Sequence, residues 1–175
     1  MPIMSGVTMN AVKLALALER SLKANIPALV DEINAFVDAD APELQDYPLI
    51  YPVTIELGIT NRLIKKGADE LPAIACGVYS REPDEEYEQG NISTVLYPYM
   101  IEVYIADAND KACYIRSLKW HAVLDAFVER YCQNLVYGFL TAESATTDIT
   151  FALEKSSEEI FKQVIAAVGV WKGPE

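Results

Sequence analysis

Apolar and polar positions alternate most clearly in the middle of the chain, between Leu71 and Asp107. Two runs at period two flank an acidic connection there, and this spacing predicts β-strands with one face towards a core. The first run extends from Leu71 to Tyr79. The second has six apolar residues at alternate positions: Val95, Tyr97, Tyr99, Ile101, Val103 and Ile105. The pattern predicts a strand, a long connection and a second strand at the centre of the fold.

Three further segments have strand patterns. Alternation from Val53 to Thr60 predicts a half-buried strand, and it is followed by the two central runs without a helical pattern between them. That order favours antiparallel, meander-like pairing. A strand is also predicted over Ile149–Leu153. Residues 160–171 fit either a helix or a strand, and the β-branched residues with Gly169 favour the strand.

Helical spacing appears on both sides of these strands. A first helix is predicted from about Thr8 to Ala24, with an apolar face of Met9, Val12, Ala15, Leu18 and Leu22. Pro27 is expected to end this helix and to open a second one, which ends near Asp38. A long helix is predicted from about Lys111 to Asn134. Its broad face is the natural partner of the sheet and comprises Trp120, Val123, Leu124, Phe127, Val128 and Tyr131.

The order of these elements predicts one α/β (α+β) domain over residues 1–175. Residues 1–48 form an N-terminal helical segment, and residues 49–175 supply the sheet and the long helix. We expect a mostly antiparallel sheet of about four to five strands, with the helices packed on one face. A chain of 175 residues with 51% hydrophobic residues is long and apolar enough to bury a core.

The net charge of −12 bears on the partners of this protein. It argues against a protein that grips duplex DNA, because such proteins neutralise phosphates with Lys and Arg. Three cysteines in apolar surroundings, Cys76, Cys113 and Cys132, suit a reducing compartment. Met1 to Thr8 lacks the layout of a signal peptide, and no apolar run reaches bilayer length. We therefore expect a soluble protein that is made in the cytoplasm.

The sequence has no motif for catalysis, a cofactor or a metal. Its glycines are isolated, and its single histidine, His121, excludes every two-histidine zinc motif. His121 and Asp125, one helical turn apart, could orient a base for a nearby cysteine, Cys113 or Cys132. A simple i,i+4 pair beside the packing face is the favoured interpretation. We expect no enzyme activity.

The acidic connection is the one candidate contact site. Five carboxylates in a short segment could bind a hard cation, but their spacing does not match an EF-hand loop. A solvated arm that contacts a partner is favoured, since tyrosine in its middle is typical of interfaces. The predicted contact residues are Glu82, Asp84, Glu85, Glu86, Tyr87 and Glu88.

The whole order of elements resembles the tail terminator and tail completion (neck) proteins of long-tailed bacteriophages. Two segments carry the resemblance: Leu71-Pro72-Ala73-Ile74, which opens a strand, and the run from Tyr99 to Ile105 before the long helix. An N-terminal helix that ends near Ile26-Pro27 fits as well. The resemblance covers most of the chain as a pattern of elements. The connection from Gln45 to Pro52 and the longer N-terminal region depart from the compact family pattern.

This resemblance implies a structural protein of the virion tail or neck. Such proteins assemble as rings, usually hexamers, that terminate the tail tube or sheath and join it to the neck or connector. DNA passes through the hole without specific binding, and an acidic lumen would repel its phosphates. Two alternatives stay open: another neck component, such as a head-completion protein, and a small cytoplasmic α+β module that binds a ligand or regulates a partner.

Overall fold

A computed structural model describes residues 7–58, 67–78, 82–83, 94–133, 135–138, 140–141, 146–150 and 160–174. Two helices, α1 (Val7–Ala35) and α2 (Asp110–Phe127), pack against a mixed β-sheet. The strands are β1 (Thr54–Leu57), β2 (Ala73–Val78), β3 (Glu82–Pro83), β4 (Thr94–Asp107), β5 (Leu140–Thr141), β6 (Thr146–Thr150) and β7 (Phe161–Pro174). Short 3-10 helices cover Pro42–Asp46 and Ala68–Glu70. The predicted α+β class is confirmed.

The body of the sheet consists of four strands in the order β1-β2-β4-β7, and the short strands β3, β5 and β6 extend it. The prediction of sequential antiparallel pairing is wrong for β1 and β2, which run parallel with Thr54 opposite Ala73. The connection over residues 58–72 permits this, since a parallel pair needs a crossover of about a dozen residues. Hydrogen bonds from Val53 N to Pro72 O (2.7 Å) and from Gly58 N to Cys76 O (2.9 Å) extend that pairing at both ends.

Strands β4 and β7 form the spine of the sheet. They pair antiparallel along their full length, from Thr94 opposite Pro174 to Asp107 opposite Phe161. All six alternate residues of β4 that the pattern assigned to the core are buried: Val95, Tyr97, Tyr99, Ile101, Val103 and Ile105. The prediction of a strand over residues 160–171 is also confirmed.

Helix α1 runs through Pro27, so the predicted helix break is wrong. Proline in a helix interior costs about 3 kcal/mol, because it removes one hydrogen bond and crowds the preceding turn. The residues on either side of Pro27 bury one continuous apolar face. Each such side chain contributes about 1.5–3 kcal/mol, and together they outweigh the local cost. The members of this face are Leu14, Leu18, Leu22, Ile26, Leu29 and Val30, none of them more than 2% exposed.

The apolar face predicted for the start of α1 is also partly wrong. Met9 and Val12 are 57% and 45% exposed, whereas Ala17, which is not in the predicted apolar face, is buried. Helical spacing fits two overlapping stripes in this segment, and only the packing against the sheet selects between them.

Helix α2 begins at Asp110, one residue before the predicted start. The side chain of Asn109 accepts a hydrogen bond from Ala112 N at 3.0 Å, which satisfies one of the free amides of the first turn. The helix continues as a π-helical turn over Val128–Cys132. The indole of Trp171 donates to Cys132 O at 2.9 Å, so this turn is attached to the spine of the sheet.

The helices cover one face of the sheet, as predicted, and the main core lies between the helices and this face. The opposite face has a smaller buried cluster of Leu71, Ala73, Ala75 and Tyr104. Neither α1 nor α2 packs on this second face, and the 3-10 helix Ala68–Glu70 contacts β4.

Candidate functional site

The predicted acidic contact site lies mostly outside the described residues. Glu82 is in β3, opposite Leu96 of β4. Asp84, Glu85, Glu86, Tyr87 and Glu88 are not among the residues that the structure describes. The predicted contact role of this segment stays a prediction.

The geometry does not favour a nucleophile next to His121. His121 Nδ1 lies 3.0 Å from Asp125 Oδ2 in a partly exposed i,i+4 pair on α2. Cys113 is two helical turns from His121, roughly 12 Å along the axis. Burial raises the pKa of the thiols of Cys113 and Cys132 to about 11 and about 12. Both thiols are therefore protonated at neutral pH, whereas a nucleophilic cysteine needs a lowered pKa.

The most distinctive local structure is the connection between α1 and β1, residues 36–53, which we call the strap. Asn34, near the end of α1, fastens it with two hydrogen bonds to Leu49: Nδ2 donates to Leu49 O (2.8 Å), and Leu49 N donates to Oδ1 (2.7 Å). Leu49 itself is buried in the main core.

Helix α2 holds the other side of the strap. Lys119 Nζ donates to Leu44 O at 2.6 Å and to Tyr47 O at 2.7 Å. Burial, with a smaller contribution from Arg116, lowers the pKa of Lys119. Gln45 Nε2 donates to Phe36 O at 2.6 Å, which links the strap back to the end of α1. The strap is thus fixed against both helices.

An apolar groove of about 440 Å³ opens between the strap and the two helices. Its lining residues are Ile33, Phe36, Leu44, Ile115, Leu118, Lys119 and Ala122. Phe36 is 58% exposed and Leu118 is 43% exposed. The ammonium group of Lys119 is occupied by the strap carbonyls, so the groove is hydrophobic with few polar groups.

A second, smaller cavity of about 210 Å³ lies beneath the strap at the edge of the sheet. An ion pair between Arg116 and Asp107 lies at its border, and Arg116 Nε also donates to Pro48 O at 3.1 Å. These contacts tie the strap to the end of β4. The residues at the border of this cavity therefore have a structural role, because they hold the strap in place.

A second exposed apolar surface, which we call the ridge, lies on the first half of α1. Its members are Met9, Val12 and Leu16, of which Leu16 is 43% exposed. They fall within roughly 60° of helical arc, because successive residues turn by about 100°. No carboxylate occurs between Val7 and Leu18, whereas Lys13 and Arg20 are exposed on one flank of the ridge.

The outer face of the sheet is a third apolar surface. Its central rows place Leu96, Pro98 and Met100 of β4 beside Lys172, Val170 and Val168 of β7, and all six are half-buried. Glu102 accepts a hydrogen bond from the hydroxyl of Tyr104 at 2.6 Å on the same face. This face is less exposed than the ridge or the groove.

Neither a metal site nor a membrane span was found in the described part of the chain. No group of three or more His, Cys, Asp or Glu residues there is arranged to hold a metal ion. No described helix is both long and apolar enough to span a bilayer. The three surfaces are suited to binding apolar groups, from a partner protein or from a small molecule.

Comparison with known proteins does not assign a family. No protein-family model matches the sequence, and no curated protein matches it significantly.

Sequence reasoning missed both the ridge and the groove. Met9 and Val12 were assigned to the apolar face of the first helix, and Phe36 lies in the segment predicted as the second helix. The available signal was the surplus of apolar residues in α1, which exceeds what one buried stripe needs. Nothing in the sequence indicated that the strap would lie across both helices.

Proposed function

We propose that this protein is a structural virion protein, a ring-forming component of the head–tail joint of a tailed phage. In this role a ring, expected to be a hexamer, terminates the tail tube or sheath, contacts the neck and leaves a channel for DNA. Glu82, Asp84, Glu85, Glu86, Tyr87 and Glu88 are the proposed arm towards neighbouring proteins. The protein is made in the host cytoplasm and functions in the virion.

The observation that carries this proposal is the order and packing of the elements. An N-terminal helix, a pair of strands, a long connection, a long strand, a long helix and a final strand follow one another, with both helices on one face. This is the arrangement that the resemblance implies. A function of this class is also consistent with large exposed apolar side chains, because such patches are typical of interaction sites.

The charge of the chain supports the same role. A ring around DNA must let the duplex slide, and a net charge of −12 disfavours binding of phosphates. Another neck component, such as a head-completion protein, would have the same properties and differs only in its position in the particle.

The groove favours one candidate function of another class, a small ligand-binding module. Its volume of about 440 Å³ falls within the range of small-molecule pockets, which are mostly apolar with a few polar groups. A module of this kind would be a monomer or a dimer that binds an apolar molecule between Phe36 and Leu118.

Two measurements separate these functions. Light scattering over a range of concentrations, with electron micrographs of the same samples, should give closed rings with an open centre. Deletion of the gene from its phage should yield heads and tails that do not join, with tails of irregular length. Normal particles from the deletion, or a compact dimer that binds an apolar fluorophore stoichiometrically in the groove, would contradict the proposal.

A further inference from the structure

The ridge and the groove lie on one chain but cannot meet within it. Leu16 and Ile33 both belong to α1, a helix of 29 residues, and are separated by roughly 25 Å along its axis. One surface is convex and the other is concave. Each exposes large aliphatic or aromatic side chains to solvent, which is unfavourable for an isolated chain.

The charges beside the two surfaces are opposite. The strap carries four carboxylates and no basic residue over residues 38–46, next to the groove wall that Leu44 provides: Asp38, Asp40, Glu43 and Asp46. The flank of the ridge is mainly basic: Lys13 and Arg20 are exposed there, and the one nearby carboxylate, Glu19, is paired with Lys23 at 2.8 Å. In a chain of net charge −12, this basic start of α1 is a local exception. Complementary charge directs association and fixes register.

We propose that the ridge of one copy of this chain docks into the groove of the next copy. Met9, Val12 and Leu16 enter between Phe36 and Leu118, and Lys13 and Arg20 face the carboxylates of the strap. This docking presupposes the ring function proposed above. The ridge and the groove are the surfaces through which the subunits build the ring. It is heterologous, since different patches meet, so repetition generates a closed ring or an open filament.

The strap gives this docking its geometry. Its bonds to Asn34 and Lys119 hold Leu44 and the carboxylates in position before a partner arrives. A preformed groove loses less conformational entropy on association than a flexible one. The strap therefore supplies one wall of the subunit contact, through Leu44.

Mixing two variants tests the docking. Leu16→Glu places a carboxylate on the ridge, and Leu118→Glu places one in the groove. Both positions are exposed, so folding should be unaffected. Each variant alone should associate at least tenfold more weakly than the wild type in sedimentation experiments. An equimolar mixture should form a one-to-one heterodimer and nothing larger, because it contains only one intact ridge–groove pair. Thermal melts of both variants check that they are folded.

Two controls sharpen this test. Tyr137→Glu changes a fully exposed aromatic residue outside both surfaces and should associate like the wild type. Lys13→Glu with Arg20→Glu should weaken association, and mixing this variant with Glu43→Lys plus Asp46→Lys should restore it.

Each outcome decides one of the two proposals. Wild type that stays monomeric at about 1 mM, or a mixture of Leu16→Glu and Leu118→Glu that contains only monomers, overturns the docking. Rings that persist in both single variants overturn the docking but leave the ring function intact. Heterodimers in the mixture, together with normal particles after gene deletion, would retain the docking and refute the phage function.

Discussion

Large apolar side chains are buried at the centre of the sheet but exposed on the outer side of the helices. At the centre, Tyr99 and Trp171 stack at 4.0 Å between ring centroids and are each 1% exposed. On the helices, Met9 and Phe36 are more than half exposed. Large apolar side chains therefore have two different roles in this protein. The central residues stabilise the fold, whereas the exposed ones are available for a partner.

We expect the largest loss of stability from a substitution at Gly169, in the packed centre of the sheet. This residue lies opposite Tyr99 on the core face, and a Cβ there would come within 2.7 Å of the ring atom Cε1 of Tyr99. Overpacking of this kind costs about 3 kcal/mol, so Gly169→Ala should lower the free energy of unfolding by that amount in urea titrations.

The neighbouring substitution Val170→Ala, on the outer face, serves as the control and should have a smaller effect. The penalty of Gly169→Ala should also shrink in a Tyr99→Leu background, because the overlapping ring is then absent. Equal penalties in both backgrounds would refute the explanation.

The second largest loss of stability is expected when the strap loses its attachment to α1. Asn34→Ala removes both hydrogen bonds to the buried Leu49 backbone and should cost about 2 kcal/mol of stability. Hydrogen exchange should show faster exchange at the Leu49 amide. Asn25→Ala on the same helix is the matched control, since the bonds of Asn25 go to Ser21, one turn away. A strap that keeps its protection in Asn34→Ala would contradict this role.

The smallest effect is a pH dependence from the buried thiols. Burial raises the pKa of Cys132 to about 12, whereas an unfolded thiol titrates near pH 9. The folded state therefore keeps a proton that the unfolded state loses, so the stability from this thiol is complete below pH 9 and declines as the pH rises towards 12. Between pH 8 and pH 10 the loss is about 1.4 kcal/mol.

Unfolding titrations at several pH values measure this slope. Cys132→Ala should have a flatter profile than the wild type, whatever its absolute stability. The same slope in both proteins would show that Cys132 is already ionised in the folded state or does not titrate near pH 9 when unfolded.

The buried residues at the centre of the sheet were predicted correctly, and the exposed residues of the helices were not. Both outcomes depend on how far the local pattern determines which side of an element is buried. Alternation along β4 has a period of two, and a strand with that period can bury its apolar set in only one way. The start of α1 has apolar residues on several sides, so Met9 and Ala17 could each be buried or exposed. The groove requires Phe36, Leu44 and Leu118, which are brought together only when the strap crosses both helices.

Local sequence patterns were sufficient to predict the α+β class, the strands β4 and β7, the start of α2 and the placement of the helices on one face. These features depend on local periodicity and capping, which act within a few residues. Three features could not be predicted from local patterns: the passage of α1 through Pro27, the parallel pairing of β1 with β2, and the separation of ridge and groove. Each of these depends on burial against distant segments, whose free energy exceeds the local preferences and leaves no mark in the local pattern.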